Sequence, residues 1–191
     1  MRLVLATRNE HKLRELARIM GGVSLEPLPA GMVLPPEDGD TFAANALGKA
    51  RAAAAATGQP AIADDSGIEA AALDGAPGVF SARFAGPDAT DAENLALLCQ
   101  QAPPGSGLRY VCVMAYAEPG GAERTFEGAC TGTLAITARG AGGFGYDPVF
   151  LPDEIGDGRT MAELSDAEKD AISHRGRAAR ALLAWLGTEQ A

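Results

Sequence analysis

Residues 2–20, RLVLATRNEHKLRELARIM, decide how the rest of the chain is read. Residues 2–6 form a short apolar run of strand character. It passes through Thr7 and Arg8 into a segment whose Leu13, Leu16, Ala17 and Met20 recur at helical spacing. A strand, a turn and a helix therefore open the protein. Residues 23–28 predict a second strand, and the Pro-, Gly- and acid-rich stretch 29–40, which carries Glu37, Asp38 and Asp40, predicts an exposed loop.

Beyond that loop, Thr41 is placed to N-cap a helix that runs through an alanine-rich stretch and stops near Gly58. Asn45 and Lys49 share one face of it. Residues 61–63 then predict a brief buried strand ending in Asp64, Asp65, Ser66 and Gly67, and polar groups at the C-terminal end of a strand often line a site. Thr90 with Glu93 has the spacing of a capping box and starts another helix. The apolar run 109–117 suits a strand covered on both faces, and Gly120-Gly121 turns it into a partner over 123–136. A glycine-rich loop at 140–148 precedes a short strand at 149–151. Two more capping boxes follow, Thr160 with Glu163 and Ser165 with Glu168, the second opening a terminal helix that includes Leu182, Leu183 and Leu186.

The 191 residues match the usual size of one domain, enough to bury roughly 70% of the unfolded surface, and no linker or repeat divides residues 1–191. A formal charge of −9 opposes nucleic acid and anionic lipid as partners, because both need clustered Lys and Arg. No apolar run approaches the roughly 20 residues of a membrane-spanning helix, so the expected compartment is the cytoplasm. Three scattered cysteines and two histidines, His11 and His174, provide neither a disulfide framework nor an imidazole-rich zinc site, which leaves carboxylates to hold any metal.

Several groups of residues could carry chemistry. Thr7, Asn9 and Lys12 stand where a strand gives way to a helix, a place where backbone N–H groups and the helix dipole favour a phosphate; equally, Thr7 or Asn9 caps the helix and Lys12 is solvated. Glu37 and the Asp64-Asp65 pair supply carboxylates of the kind Mg²⁺ prefers, or remain simply solvated. Phe144 and Tyr146 either stack on a base or pack into the core. Lys169, His174 and Arg175 bring donors to one helical region, where cations also suit helix electrostatics.

Taken in order, LATRNEHKLRELARI, DTFAANALGKARAA, IADDSGIEA, GAPGVFSARFAG, GGFGYDPVF and EKDAISHRGRA closely resemble the inosine triphosphate pyrophosphatase family, from about Leu3 to Ala181. The resemblance implies an α/β fold with a long, mixed, curved sheet flanked by helices, and two lobes with the active-site cleft between them, usually as a homodimer. It also implies Mg²⁺-dependent hydrolysis of dITP, ITP, dXTP and XTP to the monophosphate and pyrophosphate, which keeps deaminated purines out of the nucleotide pool. By matching position, Thr7, Arg8, Asn9, Glu10, His11 and Lys12 resemble the triphosphate loop. Glu37 and Asp65 match the metal carboxylates, Asp65 also matches the proposed general base, and Ser66 adjoins the substrate. Phe144, Gly145, Tyr146 and Asp147, with Lys169, His174 and Arg175, correspond to the nucleotide-binding surface that includes the base pocket. Arg8 stands where relatives often carry a small residue.

Overall fold

The computed structural model describes residues 2–189. It has an α/β architecture built on one six-stranded mixed sheet of order β2-β1-β3-β4-β5-β6. The strands are β1 Arg2–Leu5, β2 Ser24–Pro27, β3 Ala61–Ala70, β4 Gly107–Ala117, β5 Glu123–Leu134 and β6 Phe150–Pro152. β1 runs parallel to β2, with Arg2 opposite Ser24, and parallel to β3, with Val4 opposite Ala61. β6 pairs antiparallel with β5, with Phe150 opposite Leu134. The helices are α1 Glu10–Ile19, α2 Phe42–Thr57, α3 Asp91–Gln101, α4 Asp166–Ile172 and α5 His174–Glu189.

Local chemistry sets the helix ends. Thr41 accepts the Ala44 N–H at the start of α2, and Gly58 ends that helix at φ 66°, a left-handed conformation that costs glycine nothing. Thr90–Glu93 and Ser165–Glu168 are reciprocal capping boxes at α3 and α4. The third box, Thr160–Glu163, closes a single 3₁₀ turn, Met161–Glu163.

Two expectations need correction. Asp64-Asp65-Ser66-Gly67 is not a turn after a short strand but the middle of β3, which continues to Ala70. These residue types favour turns, but here β3 lies between β1 and β4 in the sheet and buried cations balance Asp64. The terminal helix is also two helices. Ser173 takes an extended conformation (φ −64°, ψ 152°) between α4 and α5, as a side chain that competes for helical hydrogen bonds can do.

The chain groups into two compact units, and neither is contiguous. The first takes the chain up to Asp65, Cys112–Gly128 and everything from Arg175 onward; the second takes Ser66–Val111 and Ala129–His174. The first unit's core contains Leu3, Leu5, Leu16, Ile62, Met114 and Leu182. In the second, Ile68, Leu98, Tyr110, Tyr146, Phe150 and Met161 pack together. β3, β4 and β5 each contribute residues to both units.

Candidate active site

In the first unit, the strand-to-helix corner is organised by Asn9. This residue caps α1, its side-chain oxygen accepting the N–H groups of His11 at 2.9 Å and Lys12 at 3.1 Å, while Thr7 Oγ1 accepts the Asn9 N–H at 3.2 Å. Arg8, Asn9, Glu10 and His11 are exposed, and the Arg8 guanidinium donates to the Met32 carbonyl. Lys12 turns inward instead. Its ammonium lies 3.0 Å from Asp64 Oδ2, with the side chain only 13% exposed.

Asp64 is the hub of a buried charge cluster. Its Oδ2 accepts from Arg175 Nε at 3.3 Å and Nη2 at 3.2 Å as well as pairing with Lys12, and Arg175 Nη1 donates to Glu15 Oε2 at 2.6 Å. Burial alone would push the Asp64 carboxyl up, but the charges of Lys12, Arg175 and Lys49 outweigh it and hold the group well below the ordinary carboxylate range. Cys112 lies against this carboxylate, its Sγ 3.9 Å from Oδ2, and burial together with the Asp64 charge pushes the thiol up to about 12.

One turn of α2 joins the acidic loop to β3. Lys49 donates both to Glu37 Oε1 and to the Asp64 carbonyl. Asn45 donates from Nδ2 to Asp65 Oδ2 at 2.9 Å and accepts the Gly39 N–H at 2.8 Å. A Cβ at Gly39 would fall 2.8 Å from that Asn45 oxygen, so the close approach calls for glycine. Burial raises the Asp65 carboxyl above its ordinary value, opposed by Lys49 and by the Asn45 hydrogen bond. Lys49 is itself nearly buried; burial would lower its pKa, but Asp64 and Glu37 reverse that and keep it charged.

Three cations, Lys12, Lys49 and Arg175, thus meet four carboxylates, Glu15, Glu37, Asp64 and Asp65. The charge of Glu37 also contributes to raising the Asp65 carboxyl. Among the described residues no three His, Cys, Asp or Glu side chains gather to hold a metal. A pair of carboxylates is nevertheless what Mg²⁺ uses when it also binds substrate phosphates and water, so the donor set fits that ion.

The second unit holds a separate constellation. Asp147 Oδ2 accepts from Lys169 Nζ at 2.6 Å and from the Phe144 N–H at 3.0 Å, and Asp147 Oδ1 accepts from the Tyr110 hydroxyl at 3.1 Å. Lys169 Nζ also lies 5.4 Å from the centre of the Phe144 ring, a cation–π distance. The His174 ring stacks on Tyr110 at 4.5 Å and 6°. The glycine loop closes on this group. Gly143 has φ 70°, and a Cβ there would fall 1.9 Å from Asp147 Oδ2 and 2.8 Å from Lys169 Nζ. Gly145 N–H donates to Asp91 at the start of α3, and Tyr146 OH donates to the Ser81 carbonyl.

With both groups in place, comparison with known proteins is informative. The sequence profile of the Ham1 family matches residues 3–185. The chain belongs to the Ham1 family. A dITP/XTP pyrophosphatase of Frankia alni is 52% identical over 199 residues, covering 97% of each chain, and one of Streptomyces coelicolor is 49% identical over 192 residues, covering 95% of each. Among solved structures, a HAM1 protein from Coxiella burnetii superposes with a TM-score of 0.83 at 40% identity, covering 98% of this chain and 99% of that one. A nucleoside-triphosphatase / dITP/XTP pyrophosphatase from Mycobacterium abscessus gives 0.74 at 44% identity, covering 96% and 99%. The resemblance read from the ordered motifs holds, and so does the mixed α/β fold it implied.

Within this Ham1 chain the residues singled out from sequence fall into two sets. Thr7 to Lys12, Glu37, Asp65 and Arg175 lie in the first unit; Ser66, Phe144, Gly145, Tyr146, Asp147, Lys169 and His174 lie in the second. Lys12 and Arg175 meet on Asp64, while Glu37 and Asp65 are joined through Lys49 and Asn45. Arg175 is 1% exposed and anchors Asp64 and Glu15, and Tyr146 is packed in the core. Asn45 and Lys49 were noted only as sharing a helix face and Asp64 only as one of a pair of carboxylates, while Glu15 and Tyr110 were not picked out. The available signal for the first two was a pair of polar residues at i, i+4 in an otherwise alanine-rich helix.

Proposed function

We propose that this chain is a Mg²⁺-dependent pyrophosphatase that hydrolyses dITP, ITP, dXTP and XTP to the nucleoside monophosphate and pyrophosphate. The observation that carries the reading is the cluster of Lys12, Lys49 and Arg175 with Glu15, Glu37, Asp64 and Asp65, in which Glu37 and Asp65 are two carboxylates fit for a divalent ion. The names of the nearly full-length relatives support the substrate class.

The triphosphate is assigned to the first unit and the base to the second. Bound Mg²⁺ would offset phosphate charge and favour departure of pyrophosphate. Asp65, raised by burial and steered by Asn45, accepts a proton as a water oxygen bonds to the α-phosphorus and the bridging oxygen leaves with pyrophosphate. Lys12 and Lys49 supply positive charge that the developing anion requires. On the base side, His174 donates to a 6-oxo purine and Phe144 offers a ring face. Adenine, with an amino group at that position, would leave a buried donor unmatched, which is how large discrimination arises.

A homodimer in the cytoplasm remains part of the proposal, supported by the family resemblance; the charge of −9 speaks against a nucleic-acid partner, and no described helix is long and apolar enough to cross a membrane. The deciding test is pyrophosphate release with Mg²⁺ on ITP and XTP beside ATP and GTP. Strong preference for ITP and XTP is expected. Equal rates on all four, or none on any, would overturn the assignment.

A further inference from the structure

The second unit contains a residue that touches most of the base-side set without having been counted in it. Tyr110, on β4, is 6% exposed and contacts both His174 and Asp147. Its ring lies parallel to the His174 imidazole at 4.5 Å, and its hydroxyl donates to Asp147 at 3.1 Å. Asp147 in turn holds Lys169 and the Phe144 N–H. Phe150 also packs against Tyr110, its ring centre 4.6 Å away and its plane tilted by 36°.

These contacts have a geometric consequence for recognition. A histidine can aim its ring nitrogens in many directions by rotating about its side-chain bonds. A parallel ring covering its face restricts that rotation to the plane of the stack. Asp147 and His174 lie on different segments, 27 positions apart, and both rest on one tyrosine whose own position is set by β4. We infer that Tyr110 is a specificity-positioning residue, fixing the plane of the His174 ring and the Asp147 carboxylate so that the second unit reads the oxygen of a 6-oxo purine. The inference rests on the assignment of the base to this unit.

Two substitutions separate the parts of the role. Tyr110→Phe keeps the stack and removes the hydroxyl; Tyr110→Leu removes the stack. From the usual strength of an aromatic pair, Tyr110→Leu should lower the ratio of kcat/KM for ITP over ATP roughly two- to tenfold, chiefly through KM for ITP. Tyr110→Phe should retain most of that ratio. Preserved discrimination in a folded Tyr110→Leu protein, or an equal loss in Tyr110→Phe, would overturn the role given to the stack.

A second readout does not depend on turnover or on a variant's folding. The chain has only two histidines, His11 and His174, so their ring protons are readily distinguished by NMR. In the substrate-free wild type, the ring current of Tyr110 should move the His174 signals upfield of the exposed His11 signals. Unshifted His174 signals would refute the stacked arrangement in solution. Wild-type protein that fails to prefer ITP over ATP would instead refute the base assignment, whatever the NMR result, so the two failures are distinguishable.

Discussion

Replacing Asp64 with asparagine would test the buried charge cluster most sharply. The substitution preserves volume and removes one negative charge from a position with no solvent exposure, flanked by Arg175 at 1% exposure and Lys12 at 13%. Breaking a buried ion pair by deleting one partner costs about 3–5 kcal/mol. Arg175 would still have Glu15 at 2.6 Å, so the lower figure applies. For a chain of this size, about 3 kcal/mol corresponds to a fall in Tm of about 6–12 °C at neutral pH. Circular dichroism during heating measures it directly. The pH dependence follows from the depressed carboxyl of Asp64 in the folded state. Its stabilisation is complete above the unfolded value, about 3.9, and disappears as pH falls through the lower folded value. The gap in Tm between wild type and Asp64→Asn should therefore be constant from neutral pH down to about pH 5 and narrow below about pH 4. A gap smaller than about 2 °C at neutral pH, or one that widens in acid, would refute the reasoning.

Four further outcomes are expected. Asp65→Asn should abolish pyrophosphate release yet leave Tm unchanged or higher: burial has raised this carboxyl, so its contribution to stability is present in acid and lost as pH rises through the folded value; a fully active variant would remove Asp65 as the base. The same direction places the acid limb of wild-type kcat/KM above the pKa of an ordinary aspartate, which a pH–rate profile checks. Lys49→Met removes the cation that joins Glu37 to the Asp64 carbonyl, and should raise the Mg²⁺ concentration for half-maximal activity roughly 10–100-fold, measured by titrating Mg²⁺ at fixed ITP. Gly143→Ala places a methyl group 1.9 Å from Asp147 Oδ2 at φ 70°, so KM for ITP should rise and stability should fall by about 1–2 kcal/mol, read from steady-state kinetics and denaturant unfolding.

Much of the fold was legible because helix ends are written in local chemistry. Thr41, Gly58 and the three Thr or Ser capping boxes act over three or four residues, and each stands where its pattern placed it. β3 was misread because a strand's continuation through Asp64-Asp65-Ser66-Gly67 depends on neighbours and counter-charges from distant segments, which local propensity does not contain. The same limit applied to the site. Thr7, Asn9, Lys12, Glu37 and Asp65 could be picked out by residue type and motif. The partners of Asp64 lie 52 residues before it and 111 after it, at Lys12 and Arg175, and the stack of Tyr110 on His174 spans 64 positions. Tyr110 itself looked like one more apolar residue in a buried strand.

The Arg175 anchor also bears on the order in which the chain acquires its structure. Glu15 is made early in synthesis, but the guanidinium that pairs with it comes 160 residues later, near the end of the chain. Closing so long a loop carries an entropic cost before any contact is gained. A ribosome-bound chain ending before Arg175 holds Glu15 and Asp64 without their shared partner, and the first unit's core lacks Ala178, Ala179, Leu182 and Leu186. The N-terminal strand and helix therefore lack part of their core and the partner of Glu15 until α5 has been made.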